Sequence, residues 1–145
     1  MALRIALHQT EPVLEGREAN LAAIAAAVGQ GDADLHIFPE LATSGYALAN
    51  RDRALALAES AGSEGLRRLQ ARADWGDCAL VVGLPLAEGE RLYNASVLLR
   101  PGLEPFVYRK LHLFDREPEL FDPGDRPPAV QEWRGLRVGM MICFD

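Results

Sequence analysis

The sequence predicts an α/β fold built on a mixed sheet. Strand and helix patterns alternate in the first part of the chain, and apolar strand runs then follow one another with only short turns between them. Three chemically capable residues, Glu40, Lys110 and Cys143, each fall at or just beyond the carboxyl end of a predicted strand, the edge where open α/β sheets form sites.

The elements follow in order. Leu3 to Gln9 reads as a strand with Ile5 and Leu7 on one face, broken by Glu11 and Pro12. Arg17 to Val28 reads as a helix because Leu21, Ile24 and Val28 recur at spacings of three and four; Gly29 and Gly31 are its stop signal. Leu35 to Phe38 is a short strand that Pro39 ends, since proline donates no ladder bond and keeps the residue before it extended. Glu40 to Asn50 carries the turn chemistry of Thr43, Ser44 and Gly45. Arg51 to Ala58 is expected to be helical. Ser63 to Trp75 is expected to form a helix with Ser63 as cap and Leu66, Leu69 and Ala73 on one face.

Cys78 to Leu84 is a continuous apolar run, as in a strand buried on both faces. Tyr93 to Leu99 and Pro105 to Lys110 are two further strands, with a turn at Pro101–Gly102. A long loop, Asp115 to Pro128, follows. Ala129 to Trp133 and Leu136 to Ile142 read as a hairpin around Gly135. The closing run, Val138 to Asp145 (VGMMICFD), reads as a buried strand stopping at Cys143.

The bulk numbers agree with one globular domain, residues 1–145. Hydrophobic residues make up 49% of the chain and charged residues 25%, a composition that can bury a core. The formal net charge is −6; without Lys/Arg clusters, this argues against nucleic acid and anionic membranes as partners. No stretch is long and apolar enough to span a bilayer. Arg4 and His8 interrupt the opening apolar residues, so a signal peptide is not expected and a cytoplasmic location is. Cys78 and Cys143 could form one disulfide by count, but nothing in the sequence points to an oxidising compartment, and Cys78 reads as a core thiol. The spacing of His8, His36 and His112 does not suggest a metal site, and no cofactor is expected.

A thiol held at a bend after a core strand has the logic of a nucleophile elbow. Glu40 is suited to take its proton and return it to a leaving amine. Lys110 and the backbone N–H of Phe144 are suited to hold the negative charge that develops on a carbonyl oxygen. The product of such a set is acyl transfer through a thioester. Each residue also has a plain reading when taken singly: Cys143 as a small core residue, Glu40 as a solvated loop acid or cap, Lys110 as a strand-end surface charge.

The segments FPELATSGY, YRKLHLF and VGMMICFD, in that order, resemble the three signature blocks of the nitrilase, or carbon–nitrogen hydrolase, superfamily. The blocks' catalytic Glu, Lys and Cys map onto Glu40, Lys110 and Cys143, separated by 70 and 33 residues. REPELFDPGD resembles the family's loop with a second glutamate, which helps position the lysine and the substrate; Glu117 is the match, and Glu119 the second candidate. The resemblance covers essentially the whole chain. It implies an α–β–β–α sandwich, here only its N-terminal half, as dimers or larger homo-oligomers in full-length form. It also implies hydrolysis of a small-molecule amide or related substrate, with ICFD pointing to the amidase and ω-amidase-like branches. Two alternatives remain: a catalytically incompetent fragment or interaction module, and an acyltransferase using the same triad. Tyr46, Phe114 and Trp133 are candidates for pocket lining, though packing is the more ordinary role of each.

Overall fold

The computed structural model describes residues 2–28 and 33–145. Its core is a five-stranded sheet in chain order: β1 (Ile5–Leu7), β2 (Leu35–Ile37), β3 (Ala79–Glu88), β4 (Arg91–Arg100) and β5 (Leu103–Arg109). The first two pairings are parallel and the last two antiparallel. This is the mixed sheet the sequence predicts. Parallel neighbours need a crossover, and helices supply it: α1 (Arg17–Val28) lies between β1 and β2, and α2 (Arg51–Ala56) and α3 (Glu64–Gly76) lie between β2 and β3. The Gly29 and Gly31 stop signal for α1 lies outside the described residues.

Alternation along the strands divides the apolar side chains between two faces. Leu80, Val82, Leu84 and Leu86 join Tyr93, Ala95, Val97 and Leu99 under α1 and α3, against Leu21, Ile24, Leu66 and Leu69. On the opposite face Ala79, Leu98 and Tyr108 pack with Trp133, Met140 and Ile142. That cover comes from the hairpin of β6 (Gln131–Trp133) and β7 (Leu136–Val138) and from the chain beyond it. Arg134 and Gly135, both at positive φ, turn the hairpin in the manner of two-residue hairpin loops.

Three expectations are corrected. β3 runs past Leu84 through Pro85 to Glu88. Proline is tolerated because β2 has ended, and the backbone beside Pro85 is that of Glu59, whose N–H donates to the Pro85 carbonyl at 2.9 Å. The expected loop from Asp115 contains a one-turn helix, α4 (Glu117–Leu120). The closing apolar run is not a strand throughout: pairing stops at Val138. Met140 and Ile142 still point into the core, but no strand lies beside them among the described residues. A ladder needs a neighbour as well as an apolar pattern.

One glycine fixes where the site forms. A Cβ at Gly83 would lie 2.3 Å from the Pro39 carbonyl oxygen and 2.7 Å from the Glu40 Cα. The chain leaving β2 therefore crosses directly over β3 only because position 83 has no side chain. Gly83→Ala must push backbone against backbone and is expected to cost about 1–3 kcal/mol, the ordinary range for overpacking. A chemical denaturation curve measures this; an unchanged midpoint would show that the crossing does not depend on the glycine.

Candidate active site

Glu40 opens a tight turn directly after β2. Leu41 is left-handed at φ 50°, and the Leu41 carbonyl accepts from the Ser44 and Gly45 amides at 3.1 and 2.9 Å. Asn20 of α1 braces the turn by donating to the Thr43 carbonyl at 3.1 Å, and the Glu15 amide donates to the Ser44 carbonyl at 2.8 Å. Thr43 and Ser44 are fully buried. Glu40 thus stands on a rigid support.

Lys110 follows the last residue of β5. Its N–H donates to the Asn94 carbonyl at 2.9 Å, and its own carbonyl accepts from the Gly124 amide at 2.8 Å. The side chain turns inward and is 1% exposed. Its ammonium Nζ donates to Glu40 Oε1 at 2.7 Å and lies 2.8 Å from Glu117 Oε2 and 3.0 Å from Glu117 Oε1. Burial alone would lower the lysine pKa. The hydrogen bonds and charges of Glu117 and Glu40 outweigh it and hold the group above its ordinary value.

Glu117 opens α4 and is itself buried. It accepts from the Phe114 amide at 2.7 Å and from Asn94 Nδ2 at 2.8 Å. Burial pushes its carboxyl up, but bonds from Lys110, Phe114 and Asn94 prevail and its pKa is lowered. Glu119, the second candidate, points to solvent and pairs with Arg116. Asn94, which sequence reasoning missed, donates from the same Nδ2 to Glu40 Oε1 at 2.7 Å and so links both carboxylates. Its signal was a buried amide in the middle of the apolar strand LYNASVLL.

Cys143 comes from the segment after β7. It is exposed, and its φ of 44° places it in the left-handed region, a strained setting for a side chain with a Cβ. It shares with Glu40 a cavity of about 130 Å³, lined also by Phe38, Gly83, Ser96 and Met141. Both bonds to Glu40 fall on Oε1, which leaves Oε2 without a protein partner among the described residues. Glu40, Lys110, Glu117 and Asn94 are therefore joined by direct hydrogen bonds, and Cys143 meets this cluster through the cavity it shares with Glu40. The Phe144 ring is exposed and meets Phe114, with ring centroids 5.2 Å apart. Tyr46 and Phe114 line a second cavity of about 210 Å³ next to Glu117, floored by Leu48 and Phe121. Trp133 lies instead in the core beneath the hairpin. Burial, then the negative charges of Glu117 and Glu40, raise the Tyr46 pKa. Cys78 is buried in the helix-side core. No helix among the described residues is long and apolar enough to cross a membrane.

A buried ammonium thus lies between two carboxylates, one of which shares a cavity with an exposed thiol, and comparison with known proteins gives the family. Residues 4–145 match the carbon-nitrogen hydrolase family, and the chain belongs to that family. It is 39% identical over 115 residues to an (R)-stereoselective amidase from Pseudomonas sp., covering 79% of this chain and 41% of that one. It is 35% identical to a nitrilase from Pyrococcus abyssi, covering 78% of this chain and 44% of the relative. Among solved structures, a CN-hydrolase superfamily protein from Xanthomonas campestris with an arsenic adduct in its active site superposes with a TM-score of 0.86. The identity there is 25%, over 98% of this chain and 53% of the other. An amidase variant from Nesterenkonia sp. AN1, modified by acrylamide at its active-site cysteine, gives a TM-score of 0.78 at 28% identity, over 99% of this chain and 58% of that one. The fold is thus of the nitrilase type, and the chain spans about half the length of the curated relatives it matches.

Charge balance around Lys110 sets a pH prediction. The lowered Glu117 pKa contributes stability above the ordinary glutamate pKa, lost as pH falls through the folded value. The raised Lys110 pKa contributes stability below the ordinary lysine pKa, lost as pH rises through its folded value. Lys110→Met leaves the buried Glu117 carboxylate and the partly exposed Glu40 carboxylate without their shared cation, so it is expected to cost about 3–5 kcal/mol at neutral pH and to regain part of this on acidification, as protonation relieves the repulsion. Denaturant melts across pH test this; a variant with the parent's acid slope would contradict it.

Proposed function

We propose that this chain supplies the catalytic centre of an amidase-type hydrolase acting on a small-molecule amide, with Cys143 as nucleophile, Glu40 as general base and acid, and Lys110 as the oxyanion's partner. The observation that carries this reading is the Lys110 ammonium bound to Glu40 beside a cavity that Glu40 shares with Cys143. The acrylamide adduct on the cysteine of a related amidase supports a nucleophilic sulfur in this fold.

In the proposed cycle, Glu40 Oε2 takes the thiol proton as Cys143 Sγ attacks the amide carbonyl carbon. The carbon–sulfur bond forms, and the C=O electron pair moves onto oxygen, where the Lys110 ammonium and the Phe144 N–H hold it. Collapse breaks the carbon–nitrogen bond, and Glu40 returns its proton to the departing amine. Water then gives a proton to Glu40 and attacks the thioester. The second collapse releases the acid and the thiolate, which takes back the proton. Glu117 and Asn94 keep the ammonium and Glu40 in register throughout. The lysine is suited to this work because it stays charged: its two carboxylate partners oppose loss of its proton. A full-length homo-oligomer in the cytoplasm is the setting this reading assumes.

Cys143→Ala is expected to abolish ammonia release from a panel of simple amides. Cys143→Ser, Glu40→Gln and Lys110→Ala are expected to lose about 10³-fold or more, because the three groups act as a unit. Mass spectrometry during turnover should find one acyl group on the Cys143 peptide. Activity surviving in Cys143→Ala would end the mechanism.

A further inference from the structure

The last acidic side chain, Asp145, is nearly as enclosed as Lys110, yet the proposed cycle does not use it. Its side chain is 3% exposed. Oδ2 accepts from the Ile142 amide at 3.1 Å and from the Tyr108 hydroxyl at 2.8 Å. Oδ1 accepts from the Leu111 amide at 3.1 Å and from the His112 amide at 2.9 Å, with the His112 ring Nδ1 at 3.2 Å. The Asp145 amide in turn donates to the Ile142 carbonyl at 3.0 Å.

Two features make this more than a surface clip. The bonds to Ile142 close the turn that carries Cys143 in its left-handed conformation. Such a conformation persists only where its surroundings over-determine it. The bonds on Oδ1 go to the two amides directly after Lys110. One carboxylate thus fastens the nucleophile's turn to the strand exit that bears the ammonium. Both oxygens are already engaged by donors, and Asp145 does not line the cavity shared by Cys143 and Glu40, so it is not placed to act as a base. Burial pushes the Asp145 carboxyl up, but the His112 amide, the Tyr108 hydroxyl and the Ile142 amide outweigh that and lower its pKa, so it stays ionised. Tyr108 is raised by burial and by its bond to Asp145, and so remains a donor.

We propose that Asp145 is a positioning residue: its carboxylate fixes the Ile142–Asp145 turn against the Leu111–His112 amides, so that the Cys143 sulfur and the Lys110 ammonium are held as one unit. This rests on the reading of Cys143 and Lys110 given above. The tests use the thiol and the amides directly and need no turnover, so a failure of hydrolysis and a failure of positioning are told apart.

Asp145→Asn keeps an oxygen for Leu111 and His112 but turns an NH₂ toward the Ile142 N–H, donor against donor. Iodoacetamide labelling of Cys143, followed across pH by peptide mass, is expected to slow at least about tenfold, within the ~10²-fold that a misplacement of about 1 Å costs. Glu40→Gln is expected to slow labelling in the parent but to add nothing in the Asp145→Asn background, because base and sulfur are no longer aligned. Loss of a negative charge without loss of position predicts the opposite, since removing an anion favours the thiolate. Unchanged or faster labelling in Asp145→Asn, or effects of the two substitutions that multiply, would overturn the proposal. Tyr108→Phe removes one donor and spares the three backbone bonds, so labelling should stay close to the parent; a loss as large as that in Asp145→Asn also overturns it. Should Asp145→Asn fail to fold, hydrogen exchange in the parent decides: the Leu111, His112 and Ile142 amides are expected to be protected together, and fast exchange at any one refutes the clasp.

Discussion

The structure depends on burying one ammonium. Lys110 is almost wholly out of water, and a lone charge there would cost several kcal/mol. Glu40 and Glu117 make it tolerable, and Asn94 joins the two acids so that neither can swing away. Four separate parts of the chain are thereby committed to one point: the turn after β2, the middle of β4, the exit of β5 and the start of α4. Apolar side chains of similar volume would serve stability as well or better than such a buried ionic cluster. Stability alone therefore does not account for such a cluster, one member of which, Glu40, shares a cavity with an exposed thiol.

The sheet brings these groups within reach. Glu40 follows β2 and Lys110 follows β5, yet β3 and β4 lie between those strands. The gap closes because the chain after β2 crosses over Gly83 of β3, and because the Asn94 side chain of β4 bridges what remains. Antiparallel pairing of β4 with β5 sets Ala95 opposite Arg109, so Asn94 and Lys110 are next to one another at the ladder's end. The Asn94 backbone and side chain then serve the same site by separate bonds. The site is a consequence of register, which also makes it sensitive to any slip between β4 and β5.

Much of this was legible in the sequence. Apolar runs and proline and glycine breaks gave the strands and their order, and Pro39 marked the point where Glu40 leaves β2. The far end of β3 is harder to read because proline stops a strand only where its missing N–H is needed; Asn94 of β4 pairs with Pro85 on one side, and on the other the neighbour is the single residue Glu59. The one-turn α4 has too few residues to carry a period. Asn94 is hard to single out because an apolar pattern defines the strand, and a polar exception within it carries no period of its own. The run before Cys143 misled for a different reason: an apolar sequence says that a segment is buried, but the partner that turns burial into a ladder is encoded elsewhere.

That last segment shows how Cys143 can be held without a strand. A β-ladder would fix Cys143 through repeated backbone bonds to a neighbour. Here Met140 and Ile142 insert into the core on one side of the chain, while Met141 and Cys143 face outward. Packing therefore sets the depth of the segment but not the direction of its tip, since side chains buried at alternate positions leave the backbone beyond them free to turn. Backbone direction has to come from hydrogen bonds at the tip itself, and these converge on the Asp145 carboxylate. The same division of labour holds at Glu40, where Leu41 is buried and left-handed and the bonds to its carbonyl set the turn. In both places an apolar anchor supplies the stability and a local polar clasp supplies the aim. Cys143 and Glu40, which line one small cavity, are each held by both.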